Sequence, residues 1–542
     1  MSKSPWHYTL FAFAFAFAFA FASTSTVVLL TSCRPTVKTP TMTAAAPTDP
    51  TPGLASPSAG GAGGTGDAGS HHPPGRAASP GLATSSPTEA WRASRPAPGP
   101  QPTLAPPTAV KLALDNGIPV YLVERHTLPM VTIQLIVTAG SAANPPGKEG
   151  LAALVVGLLE KNLAGATATE VHERAAHLGT SVATKTREDF SSIAVDSLRE
   201  NVEESIGLLA DMALRSRFLD EKVEEVRRAA INVLRSARTN SRLLAWRQLD
   251  IGIYGSGHSF AYADEGTEAS LGKITKADLL DFYESYWHPG NCRLVVVGDI
   301  DREQARRMLQ ERFGSWTKSR HSRNPPPLPA APGLLAKRLF LVDRPDAQQA
   351  EIWIGGAGPS RNSADWIAAE VMNRIVGGTF GSRMNMNLRE EKGWTYGVRS
   401  KLRDTIGPGR FATGGGISLE ATAAAVTELL DEMTGMVTRP PDPGELERAT
   451  ARVAVELAYR LDTNARTADA IRELVVSGLP LDYFSKYLEL SRNVRIDDVV
   501  AAAKKYLSTD RAIVVVVAPA AKVKASLEKV GPVEVLGGDD TP

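Results

Sequence analysis

Cysteine is nearly absent from this chain of 542 residues, which has only Cys33 and Cys292. Two cysteines exclude a disulfide-stapled scaffold, and the length exceeds what one core can serve. An excess of one charge is missing too. Lys and Arg total 60 against 59 Asp and Glu, a net charge of +1. No basic field argues for nucleic acid, and no acidic tail argues for a basic partner. No G-x-S-x-G elbow occurs, and no Cys/His pair suited to nucleophilic catalysis. The few histidines are poorly placed for a metal. His172 and His177 in EVHERAAH are five residues apart, about 140° around a helix, whereas a shared metal needs i,i+4 neighbours. His258 in YGSGHSF and His288 in WHPGN read as turn residues. Cys292 opens a strand-like run and reads as a small buried apolar side chain.

What the chain does have is a repeat of itself. VYLVER (Val120 to Arg125) returns as FLVDR (Phe340 to Arg344), and TIQLIVTAGS returns as EIWIGGAGPS. Downstream, ITKADLLDFYESYW before LVVVGD is echoed by VRIDDVVAAAKKYL before IVVVVAP. The offset is roughly 220 residues throughout, which marks a duplicated domain rather than a short solenoid repeat. In each copy, strands lie early and late with helices between. The first copy has helical spacing at Leu151–Asn162, Asn201–Arg215, Asp220–Arg242 and Lys276–Tyr286. This pattern predicts an α+β layered domain that occurs twice. Asn324–Pro327 and Pro329–Gly333 punctuate the junction.

The N-terminus is of another kind. Lys3 precedes the run FAFAFAFAFAFA, which ends in Leu30-Thr31-Ser32-Cys33. A charged start, an apolar stretch and small residues make a secretory signal. Its last four residues resemble a bacterial lipobox, which implies cleavage before Cys33 and lipid on its sulfur, so residues 1–33 form a lipoprotein signal peptide. The alternative is an uncleaved membrane anchor, since a bilayer needs about 20 apolar residues. Residues 34–107 are Pro, Ala, Gly, Ser and Thr with few large apolar side chains, a composition that predicts a disordered tether. His71–His72 lies within it. Arg34 after the lipid cysteine resembles outer-membrane sorting, which implies a bacterial cell envelope location, on the outer membrane facing the periplasm.

Four segments in order carry a resemblance: GKEGLAALVVGLLEK, HLGTSVATKTREDF, GTEASLGKITKADLLDFYESYWHPGNCRLVVVGD and GGTFGSRMNMNLREEKGWTYGV. Together they resemble the insulinase/pitrilysin family of zinc peptidases, inverted zincins that include the mitochondrial processing peptidase. The resemblance implies two homologous insulinase-like domains, residues 108–325 and 334–530, facing each other around a peptide-binding chamber. Active relatives carry H-x-x-E-H on the first-copy helix. Two histidines at i,i+4 share a zinc, and the Glu takes a proton from the zinc-bound water. Here Ala153, Val156 and Gly157 stand in those places, and the family's third ligand falls on Val233. None can donate to a metal or accept a proton, so the chain is expected to bind no zinc and to be inactive alone.

The second copy keeps what the first has lost. Arg389 and Tyr396 in LREEKGWTY match the family's arginine–tyrosine pair, which holds substrate near the scissile carbonyl. Both side chains are donors able to steady an oxyanion. The competing reading pairs Arg389 with a neighbouring Glu and buries Tyr396 in the core. Gly377, Gly378 and Gly381 resemble the glycine-rich loop that contributes to substrate binding in the non-catalytic processing-peptidase subunit. A helix C-cap and turn would use the same residues. Thr180–Thr184 falls where relatives accept extended substrate by edge pairing. The resemblance thus implies a membrane-anchored, non-catalytic subunit of a two-subunit zinc endopeptidase. Its expected partner is a zinc-bearing H-x-x-E-H paralogue in a hetero-oligomer, and its substrate a peptide. The alternative is a lipid-anchored scaffold or peptide-binding protein of the same fold.

Overall fold

The computed structural model describes residues 104–161, 168–262 and 264–537. The expected signal peptide and most of the expected tether, with Cys33 and His71–His72, lie outside the described residues. The repeat seen in sequence is a repeat of sheets. The first sheet contains β1 (Val110–Ala113), β2 (Pro119–Glu124), β3 (Met130–Val137), β4 (Ser181–Thr186), β5 (Ser191–Leu198) and β6 (Cys292–Gly298). The second contains β7 (Arg338–Asp343), β8 (Gln349–Gly358), β9 (Arg399–Leu402), β10 (Gly409–Ser418), β11 (Ile513–Ala518) and β12 (Val533–Leu536). Their orders are β1-β2-β6-β3-β5-β4 and β12-β7-β11-β8-β10-β9. Five strands match one for one, with β2–β6 and β7–β11 parallel and the remaining matched pairs antiparallel. The sixth strand differs. β1 is the antiparallel hairpin partner of β2, whereas β12 returns from the far end of the chain to lie parallel to β7.

One face of each sheet packs against helices of its own half. Val131, Ile133, Leu135 and Val137 alternate down β3 into a core with the helices Leu151–Lys161, Val202–Leu214 and Lys276–Tyr286. The second half repeats this with Trp366–Asn373, Thr422–Thr438 and Ile496–Tyr506. The other face of each sheet is covered by the opposite half. Leu244, Ala245, Leu249 and Ile253 of the helix Ser241–Tyr254 pack on Phe340, Trp353, Val515 and Val517. Reciprocally, Ala468, Ile471 and Leu474 of the helix Asn464–Ser477 pack on Tyr121, Ile136, Val295 and Val297. Each fully buried Leu or Ile contributes about 1.5–3 kcal/mol relative to exposure. Coverage on both faces explains why LVVVG and IVVVV are uninterrupted apolar runs rather than alternating ones.

One predicted helix is corrected. Asp220–Arg242 is two elements, Asp220–Arg238 and Ser241–Tyr254. The Asn240 side chain accepts from the backbone N–H groups of Arg242 and Leu243, so it starts a new helix instead of continuing the old one. That break sends the second helix across to the other sheet. Residues 317–337 carry neither helix nor strand and join the halves.

Arginines from the opening repeat tie the exchange together. Arg125 donates to the carbonyls of Leu461 (3.1 Å) and Asp462 (2.8 Å), just past the helix Pro443–Arg460. Arg344 donates to the carbonyls of Arg238 (2.6 Å) and Thr239 (3.1 Å), at the end of Asp220–Arg238. Each half satisfies the orphan carbonyls, and the negative dipole end, of a helix in the other.

Candidate functional site

The helix Leu151–Lys161, where the resemblance would put the metal motif, begins after Gly150, whose φ of +93° is open to glycine and poorly tolerated by other residues. Asn144 Oδ1 accepts from the Ala152 N–H at 2.9 Å and fixes the first turn. Val156 is buried, while Ala153 and Gly157 are half-buried on one face, four residues apart. A Cβ at Gly157 would stand 3.2 Å from Val226 Cγ1, so the glycine admits the helix Asp220–Arg238 closely. Val233 lies two turns beyond Val226 on that helix and is 39% exposed. The residues present do not fit zinc, since none of the four carries a donor atom. Among the described residues no three His, Cys, Asp or Glu side chains gather as a metal site.

The turn histidines have structural partners, whereas the helical pair lies on the surface. His172 and His177 are exposed on the helix Ala168–His177. His258 Nδ1 accepts from the Phe260 N–H at 3.0 Å and starts a short turn. His288 Nδ1 accepts from the Gly290 N–H at 3.1 Å, and its Nε2 meets the Arg323 carbonyl at 3.0 Å. Cys292 is fully buried, and burial pushes its thiol far above the usual range.

In the second half, Arg389 and the glycine-rich loop sit on two widened π-type turns, Arg374–Gly378 and Met386–Glu391. Such turns re-aim side chains and are frequent at functional sites. Buried Arg374 anchors the first, binding Glu456 at 2.8 Å and Glu370 at 3.1 Å. Gly377 is required by packing, because a Cβ there would fall 2.8 Å from Ser400 Oγ on β9. At Gly378 a Cβ would meet Asn373 at 2.8 Å, whereas nothing lies within 4 Å at Gly381. The loop then raises Phe380, 60% exposed.

Arg389 rests on that ring, its guanidinium carbon 4.4 Å from the centroid. Its Nε also meets Glu390 at 3.4 Å, so the expected neighbouring ion pair is present as well. Tyr396 is 90% exposed, which excludes the core alternative. Its turn is held from beneath. Thr395 Oγ1 donates to the Gly416 carbonyl at 2.7 Å and accepts from the Gly397 N–H at 3.0 Å. A Cβ at Gly415 would stand 2.7 Å from the Gly397 carbonyl, so the bare strand β10 lets this turn lie against it.

Two residues of this site escape sequence reasoning. Phe380 is read there only as part of a loop. Asn385, 5% exposed, bridges the whole site. Its Nδ2 donates to the Thr379 carbonyl at 3.0 Å, and its Oδ1 accepts from the Val398 N–H at 2.9 Å. One amide thus joins the glycine-rich loop to the segment that carries Tyr396. The only signal for it is an asparagine placed between Met384 and Met386. On the first half, β4 is the end strand of its sheet, with Thr180 Oγ1 bound to the Asp196 carbonyl just before it.

Residues 120–250 match the family described as Insulinase (Peptidase family M16), and residues 273–453 match Peptidase M16 inactive domain. An uncharacterized zinc protease of Rickettsia felis is 23% identical over 73% of this chain and 94% of its own length. The non-peptidase homolog YmxG of Helicobacter pylori is 23% identical over 52% of this chain and 64% of its own. A crystal structure of a peptidase M16 inactive domain from Pseudomonas fluorescens superposes with a TM-score of 0.70 at 23% identity, covering 76% of this chain and 98% of that one. A Helicobacter pylori protease structure gives 0.70 at 18% identity, covering 76% and 99%. The chain belongs to the insulinase family of peptidases. Within it, the chain is a homologue of the inactive type, lacking the residues of the zinc site.

Proposed function

We propose that this chain is the substrate-holding, non-catalytic subunit of a two-subunit zinc endopeptidase. One observation carries this reading: Tyr396 stands 90% exposed and Arg389 is shelved on Phe380, in a chain with no donor side chain at Ala153, Val156, Gly157 or Val233. An exposed phenol and a positioned guanidinium are costly to keep ordered unless something binds them. The partner would be an insulinase-like protein with H-x-x-E-H, supplying zinc and general base. This chain would supply donors to the peptide backbone at Arg389 and Tyr396, with Gly377, Gly378 and Gly381 shaping the loop beside them. The peptide substrate would lie against these groups.

Location is part of the proposal. Cys33 would carry lipid and hold the globular body to the envelope, on the outer membrane facing the periplasm, through the tether. Mass spectrometry of the mature chain reads this directly, since an intact Met1 would exclude it. Among the described residues no helix is long and apolar enough to cross a membrane.

A second reading is a lipid-anchored scaffold of the same fold. It is supported by likeness to human cytochrome b-c1 complex subunit 1, 26% identical over 50% of this chain and 56% of that one. Co-expression with an H-x-x-E-H paralogue separates the two. The first reading expects peptidase activity that needs this chain and falls with Arg389→Ala. The scaffold reading expects activity indifferent to it and stable co-purification with non-peptidase membrane proteins.

A further inference from the structure

The end strand of the second sheet presents two cations with no acid to answer them. Arg399 and Lys401 of β9 are two residues apart, project from one face, and are exposed. They pair in register with Gly414 and Ala412 of β10, so their face is the one that carries Arg410 and Trp353. The helix Ser241–Tyr254 covers part of this face and adds Arg242. Arg242 and Arg410 have acids of their own, Glu351 at 3.0 Å and Asp250. Among the described residues, Arg399 and Lys401 have no ion pair and no side-chain hydrogen bond. Burial and the guanidiniums of Arg399, Arg242 and Arg410 push the Lys401 ammonium below its usual range, with no carboxylate acting against them.

The matching strand of the first sheet shows that this imbalance is particular to one copy. Burial first, then Arg472 and Arg187, hold the Lys185 ammonium of β4 below its usual range too, but there Asp469 and Asp404 act against them. Strands β4 and β9 occupy the same end position in their sheets, yet β9 carries two cations, Arg399 and Lys401, where β4 carries Lys185 alone, and no carboxylate acts on Lys401. It also begins three residues after Tyr396. An end strand has a backbone paired on one side only, which suits an added extended chain better than a headgroup or a small anion.

We propose that β9 docks an extended acidic segment of polypeptide, its carboxylates reading Arg399 and Lys401 while its backbone runs beside the strand. The inference rests on the reading of this chain as a peptide-holding subunit and names the class of peptide it would hold.

The test uses the full purified chain and three labelled extended peptides that alternate Val with Glu, Gln or Lys. Fluorescence anisotropy should rank the Glu peptide tightest, with its affinity falling about tenfold between low and high salt as screening removes two exposed ion pairs. The double variant Arg399→Glu/Lys401→Glu should abolish the preference for Glu, and Lys185→Glu should keep it. Equal binding of the Gln peptide, or a double variant that binds the Glu peptide as before, would overturn the proposal. So would capture of anionic vesicles without discrimination among peptides, which would assign the charge to a lipid surface. Activity of a zinc-bearing partner on the Gln peptide distinguishes the two claims. If it still falls with Arg389→Ala while peptide charge makes no difference, only the docking inference fails.

Discussion

The guanidinium carbon of Arg389 lies 4.4 Å from the centre of the Phe380 ring. The two residues belong to different segments, a π-type turn and a glycine-rich loop, and the contact makes them one device. An exposed arginine free to sample its rotamers would lose about 2 kcal/mol of side-chain entropy on binding. Stacking on a ring lowers that cost beforehand.

Replacing Phe380 with Ala should release Arg389. An exposed cation–π contact contributes about 0.5–1 kcal/mol, so peptide affinity should weaken roughly two- to fivefold. Phe380→Trp should retain affinity. The melting temperature should be unmoved in both, because Phe380 is outside the core.

Asn385 gives the opposite signature. Asn385→Ala strands the Val398 N–H and the Thr379 carbonyl in a buried place, a loss of about 1–3 kcal/mol. Denaturant unfolding should show the loss, and hydrogen exchange should rise at Thr379–Ser382 and Tyr396–Val398 together. A rise at only one of the two segments would contradict the bridge.

The crossed arginines should act on the whole molecule. Arg125→Ala and Arg344→Ala each uncap a helix belonging to the other half, which should cost about 1–3 kcal/mol apiece. Both should lower the denaturant midpoint without altering the slope, since the surface exposed on unfolding is unchanged.

The seam between halves should respond to pH. Asp189 accepts from Thr405 Oγ1 and the Ile406 N–H, both at 3.3 Å. Burial, then the neighbouring Glu188 charge, raises its carboxyl to about 6. Glu188, against Arg403 and Arg187, is held down at about 2 despite burial. A raised acid favours the folded state while protonated, so its contribution is complete below pH about 4 and lost as pH rises through about 6. The Glu188 contribution runs the other way and is lost as pH falls from about 4.5 towards 2. Asp189→Asn should therefore flatten the loss of stability between pH about 4 and 6, and raise stability at pH 7 by about 2–3 kcal/mol. Melting curves across that range check it.

The duplication and the α+β class were legible in the sequence because each rests on local pattern, whereas the degenerate metal positions were read through a resemblance. Valine runs mark central strands, and Ala153, Val156, Gly157 and Val233 cannot bind a metal in any geometry. The exchange of helices was not legible. Asp220–Arg242 is helical in spacing on both sides of Asn240, and only the cap on Arg242 and Leu243 reveals the break. Nor could VYLVER and FLVDR reveal that their arginines reach 336 and 106 residues away. Arg389 and Tyr396 were found through a resemblance. Their support by Phe380 and Asn385 depends on contacts between turns that no periodicity encodes.

The proposed role is that this chain lends substrate-holding groups to a zinc site on another chain. Its most direct test is kcat/KM for peptide cleavage by an H-x-x-E-H partner co-purified with the wild type, with Arg389→Ala, and with Tyr396→Phe. Activity is expected only when this chain is present, lowered about 10- to 100-fold by Arg389→Ala and less by Tyr396→Phe, as loss of one transition-state donor would give. Activity equal in all three preparations, or equal without this chain, would contradict it.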